Sequence, residues 1–175
     1  MNFGKPVYNK RAFLYQEDQD MDIKANLAAL GYALPAAAAP AANYVPYVVA
    51  GNMLYISGQI PFLNGEKMHF GTLGDDYTIE QGQEAARACA LNILAQVGTA
   101  VDGDWSRVRQ CVKLGGFVAS TADFTDHPAV INGASDLLAD VLGEKGKHAR
   151  FAVGVPNLPF GVAVEIDAVF DIDSV

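Results

Sequence analysis

Two charged residues toward the C-terminal end are of the types that hold a small anion and move its protons. Arg150 stands in the run His148-Ala149-Arg150-Phe151-Ala152-Val153-Gly154-Val155, and Glu165 in Val162-Ala163-Val164-Glu165-Ile166. A guanidinium fork grips a carboxylate through two parallel hydrogen bonds. A carboxylate beside it can accept or return a proton, or hold a water for attack. The pair therefore reads as a small-anion site with its own acid/base group.

Both residues lie in segments with strand alternation. Phe151, Val153 and Val155 form one apolar set, and Val162, Val164, Ile166, Ala168 and Phe170 another. Arg150 and Glu165 fall on the opposite sets, so both are expected to point away from a helix-covered core. A hairpin turning at Asn157-Leu158 would set them across from each other. Pro156 and Pro159 make a wider connection equally compatible with the sequence.

The elements that must carry these strands can be read along the chain. Residues 1–20 mix charges and aromatics without a period and receive no role. Met21 to Leu30 reads as a short helix stopped by Gly31, with Ile23, Leu27 and Leu30 on one face. The alanine-rich stretch between Pro35 and Pro40 reads as a connector. Tyr44 to Val49 and Met53 to Ser57 read as two strands turning at Ala50-Gly51-Asn52, and residues 61–76 as a surface loop. Thr78-Ile79-Glu80-Gln81 is a capping box opening an alanine-rich helix that ends at Gly98.

A long strand is expected from Arg107 to Ser120, with Gly115-Gly116 marking a bulge or a close backbone approach. A second helix runs from Asp126-His127-Pro128 to Gly143, burying Val130, Ala134, Leu137, Leu138 and Val141. The order α, β-β-α-β-α-β-β is that of an α+β domain with helices on one face of a mixed sheet.

Composition narrows the partners. The 20 acidic residues outnumber the 12 basic ones, and no Lys/Arg cluster offers a surface to nucleic acid. The 175 residues, 51% of them hydrophobic, suit one domain with a sizeable core. The N-terminus has no apolar signal core, and no apolar run approaches the roughly 20 residues that cross a bilayer, so a cytoplasmic location without membrane contact is expected. Cys89 and Cys111 read as free buried thiols. His69, His127 and His148 are not at metal-binding spacings, His148 being better placed as a rim residue near Arg150, and no metal or cofactor is expected.

From about Tyr44 to Asp171 the chain resembles the reactive intermediate deaminase (Rid, or YjgF-like) family. The resemblance rests on Tyr44, Gly51-Asn52, Ser57-Gly58-Gln59-Ile60-Pro61, Asn92-Ile93, Arg150, Leu158-Pro159 and Val164-Glu165-Ile166, in that order and spacing. It implies a chorismate mutase-like trimer with two helices packed on one face of the sheet, the last strand inserted among earlier ones. It also divides the chain into an N-terminal extension with a short helix, 1–40, and the family domain, 41–175.

The family's function implies hydrolysis of small enamines and imines, of the 2-aminoacrylate and 2-iminopropanoate kind, to 2-keto acids and ammonia in clefts between subunits. Arg150 falls on the arginine that holds the substrate carboxylate, Glu165 on the glutamate that positions water and moves protons, and Tyr44 on the tyrosine that closes the cleft from a neighbouring subunit. Ser57 and Gly58 would border the ligand.

Taken alone, each residue has a plainer reading. Arg150 could make a surface salt bridge, Glu165 could be an exposed strand polar group, Tyr44 a half-buried strand aromatic, and Gly58 only a chain turn. The chain also departs from the family pattern: Ala152 replaces a cysteine common in active deaminases, and Val45 a serine that often follows the tyrosine. The His148-Ala149-Arg150 and Gly133-Ala134-Ser135 signatures mark a distinct branch. A trimeric small-carboxylate-binding or regulatory protein is thus the alternative to an enzyme, and the older endoribonuclease label of relatives suits this acidic chain poorly.

Overall fold

A computed structural model describes residues 22–38, 43–63 and 65–173. The first twenty residues, to which the sequence assigns no role, lie outside these. Helix α1 (Ile23–Ala29) is capped by the Asp22 side chain on the Ala25 N–H. Its Ile23 and Leu27 are fully buried in the common core, and Asn26 Nδ2 donates to Val141 O at 2.9 Å. The short helix expected in the extension is therefore packed into the domain, against the second long helix.

Strands β1 (Tyr47–Ala50) and β2 (Met53–Gln59) form the expected hairpin. β1 begins three residues later than the alternation suggests, because Pro46 has no N–H to give a ladder. Within the expected loop, β3 (Phe62–Leu63) and β4 (Glu66–Lys67) make a small ribbon. Helix α2 (Ile79–Ala100) opens with the complete Thr78/Gln81 capping box and runs two residues past Gly98.

Strand β5 (Val108–Ala119), helix α3 (His127–Leu142), strand β6 (Ala149–Val155) and strand β7 (Val164–Ile172) complete the chain. The five-stranded sheet has the order β1-β2-β7-β5-β6, with β5 and β6 parallel and the other neighbours antiparallel. The last two strands do not pair as a hairpin; β7 crosses to the centre, between β2 and β5. A mixed sheet with three helices is the α+β architecture expected, with α2 and α3 on the sheet and α1 packed against α3.

The core lies between the helices and one sheet face. Leu54, Ile56, Leu114, Val118, Val164, Ile166 and Phe170 meet Cys89, Ile93 and Leu94 of α2 and Ile131 and Leu138 of α3. Gly115-Gly116 marks a close approach: a β-carbon at Gly116 would sit 2.7 Å from Ile131. The register shifts of β5 fall earlier, between Val108 and Lys113. Among the described residues no helix is long and apolar enough to cross a membrane.

Candidate functional site

Glu165 lies where its strand predicts. On β7, Val164, Ile166 and Ala168 are buried toward the helices, so Glu165 and Asp167 project from the other face. Glu165 lies against Gly58: a β-carbon there would collide with its Oε1 and lie 3.0 Å from its Cδ. The bulge in β2 between Ile56 and Gln59 brings this glycine to the carboxylate. Burial raises the Glu165 pKa above the ordinary carboxylate value, and the nearby Asp167 charge adds to the rise.

Gly58 also lines a cavity of about 200 Å³, together with Tyr44, Gln59, Phe62, Asn92 and Phe160. The walls are set by buried amides. Asn92 Nδ2 donates to Ile60 O and Phe62 O at 2.9 and 2.8 Å, and Gln59 Nε2 to Ser57 O at 2.9 Å. Ser57 Oγ donates to Val45 O at 2.8 Å, which ties down the segment carrying Tyr44. Phe160 stands at the rim in a left-handed conformation, φ 60°, with Lys67 Nζ 3.4 Å from its ring centroid. Phe160 and Lys67 are not legible as site residues, since neither lies in a stretch long enough to show a period: Lys67 ends the two-residue strand β4 and Phe160 sits in a single turn.

Arg150 is elsewhere, and its expected orientation is overturned. In register it pairs with Leu114, a core-facing residue, so it faces the helices. Its Nη1 donates to Asn132 Oδ1 at 2.9 Å and Ser135 Oγ at 3.0 Å, and Nη2 to Pro128 O at 3.4 Å, all on α3. Phe151 and Val153 instead share the open face with Phe117, Tyr55 and Val48. Both faces of β6 are thus lined by apolar neighbours, and alternation alone picks the wrong one. Within one chain Tyr44 and Gly58 line the cavity and Glu165 lies against Gly58, whereas Arg150 sits on the opposite sheet face from Glu165, with β5 between it and β7.

The three histidines each engage a hydroxyl: His69 Nδ1 with Tyr77 at 2.8 Å, His127 Nε2 with Ser120 at 3.0 Å, and His148 Nε2 with Ser135 at 3.0 Å. Among the described residues no group of three or more His, Cys, Asp or Glu could hold a metal ion. Cys89 is fully buried, and burial followed by the Glu165 charge pushes its thiol pKa well up.

Residues 24–169 match the family described as "YjgF/chorismate_mutase-like, putative endoribonuclease". The chain is 51% identical to Protein TCP17 of Trypanosoma cruzi over 87% of its own length and 95% of that protein. The crystal structure of Atu1372 from Agrobacterium tumefaciens, of unknown function, is 50% identical, with a TM-score of 0.81 over 86% of this chain and 94% of that one. More distant is Escherichia coli TdcF with bound serine, 25% identical, TM-score 0.53 over 80% and 93%. The chain belongs to the Rid/YjgF family.

Proposed function

We propose that this chain is the subunit of a homotrimeric deaminase that hydrolyses small enamines and imines of the 2-aminoacrylate and 2-iminopropanoate type to 2-keto acids and ammonia. The observation that carries the reading is the partly buried Glu165 carboxylate against Gly58, a residue that also walls the Tyr44 cavity. Family membership, and a bound amino acid in TdcF, support an α-carboxylate ligand.

The division of Arg150 from Glu165 favours a site completed between subunits. Arg150 of one subunit would face the Tyr44, Ser57, Gly58 and Glu165 half-site of the next. The sheet face away from the helices exposes Val48, Tyr55 and Val153, apolar surface that a second and third copy would cover.

In the reaction, Arg150 holds the substrate carboxylate. Described residues accept from Nη1 and, weakly, from one hydrogen of Nη2, which leaves the Nε edge for bidentate contact. An enamine first takes a proton from water on its terminal carbon and gives one up from nitrogen, becoming the imine. Glu165 then accepts a proton from water as the oxygen attacks the imine carbon. It returns that proton to nitrogen to give a carbinolamine, and then carries the hydroxyl proton to the same nitrogen as the C–N bond breaks and the C=O forms, releasing ammonia and a 2-keto acid. A raised pKa suits both directions of transfer near neutrality.

An amino-acid oxidase generating imines in the assay tests this. Glu165→Ala and Arg150→Ala should each lower the rate of imine loss about 10²- to 10⁴-fold. A folded protein that binds 2-keto acids but accelerates no imine would favour the regulatory reading, for which Ala152 in place of the family cysteine is the specific observation.

A further inference from the structure

Two sequence signatures set apart above, His148-Ala149-Arg150 and Gly133-Ala134-Ser135, meet in the structure. His148 Nδ1 lies 2.6 Å from Gly146 O, an acceptor only, so Nδ1 carries the hydrogen. In the neutral ring Nε2 is then an acceptor, and Ser135 Oγ, 3.0 Å away, donates to it. The lone pairs of the same oxygen accept from Arg150 Nη1 at 3.0 Å. The chain of bonds has one direction, from Arg150 through Ser135 and His148 to Gly146 O.

We propose that His148 is a positioning residue which, through Ser135, orients the Arg150 guanidinium, and that protonation of His148 releases this hold and weakens the grip on carboxylates. The proposal rests on the reading of Arg150 as carboxylate clamp. Adding a proton to Nε2 turns that nitrogen into a donor. Ser135 Oγ must then accept from two cations at once, and its own hydrogen loses its acceptor. Arg150 keeps Asn132 Oδ1 but loses the partner that fixes the second Nη1 hydrogen.

The surroundings favour the neutral ring at ordinary pH. Burial, and the Arg150 charge, lower the His148 pKa, and the bond to Gly146 only partly offsets them. Other charged or titratable residues on the neighbouring elements are Glu144 and Lys147, paired at 2.6 Å, Lys145, His127, Asp136 and Asp140 on α3, and Arg109 and Lys113 on β5. Among the surrounding charges, that of Arg150 is the one that bears on His148.

Binding of 2-oxobutanoate to the folded protein, titrated by NMR in the Glu165→Gln background so that the Glu165 carboxylate does not titrate alongside His148, tests the switch. Affinity should fall about tenfold as pH drops from neutrality through the range below the ordinary histidine value, where the lowered His148 pKa places its protonation. Ser135→Ala should bind more weakly at neutral pH and show no acid weakening. The His148 ring should carry its neutral hydrogen on Nδ1, with a pKa that rises in Ser135→Ala and Arg150→Ala. Acid weakening unchanged by Ser135→Ala, or a hydrogen on Nε2, would overturn the switch alone. Absence of binding at every pH, with Arg150→Ala indistinguishable from wild type, would overturn the clamp reading and the switch with it.

Discussion

Gly58 leaves no room for a β-carbon beneath the Glu165 carboxylate. The obstructing atoms are the far end of a flexible side chain, so Gly58→Ala would push the carboxylate aside and not the backbone. The expected outcome is a stability loss of about 1 kcal/mol or less with the proposed deaminase activity reduced at least about 10²-fold. Thermal unfolding and the imine assay, run on the same preparation, check both halves. A variant that keeps full activity would show that Glu165 is not held for catalysis.

The Glu165 pKa is raised in the folded chain, so the folded state binds more protons than the unfolded one between the ordinary and the raised value. Its ionised form therefore costs stability, and the cost grows as pH rises through that window. Glu165→Gln should melt higher than wild type at neutral pH, and the advantage should vanish below the ordinary carboxylate pKa. A melting-temperature series across pH measures this, and an advantage that grows in acid would contradict it.

If the site joins Arg150 of one subunit to Glu165 of the next, two inactive variants complement each other. Random mixing of Arg150→Ala and Glu165→Ala chains into trimers should restore roughly one quarter of wild-type sites. The experiment is co-refolding, followed by the imine assay. No recovery in mixed oligomers verified by mass spectrometry would place the whole site within one subunit.

At the α2–α3 crossing, a β-carbon at Gly133 would lie 2.8 Å from the Cα of Gln83 and closer still to its carbonyl oxygen. Backbone cannot step aside as Glu165 can. Gly133→Ala should cost about 1–3 kcal/mol, lowering the melting temperature by roughly 2–4 °C per kcal/mol. An unchanged melting temperature would mean that the helices slide apart without loss.

What the sequence revealed follows the range of the forces involved. The Thr78/Gln81 box and the periodic faces of α2 and α3 are local and were legible to within a few residues. Pro46 was present to be read as a limit on β1, but the apolar run around it outweighed it. The central place of β7 depends on pairing between residues more than forty positions apart, and only the family resemblance anticipated it. Glu165 was placed correctly because its strand has one buried set; Arg150 was misplaced because β6 lies at the edge, with small residues under α3 and aromatic ones on the open side. Its partners Ser135 and Asn132 come from α3, a register no alternation rule supplies.

The position of β7 also governs when the protein can exist. Residues 164–172 provide the strand to which both β2 and β5 bond, so the hairpin at residues 47–59 and the β5–α3–β6 unit have no shared sheet until this stretch is made. A ribosome releasing the earlier parts would expose the hairpin's free edge and, once β5 is made, a second one, until the last strand emerges. Assembly of the centre then comes as a single late event, slow by its long sequence separation and open to capture by another chain's β7 in the interval.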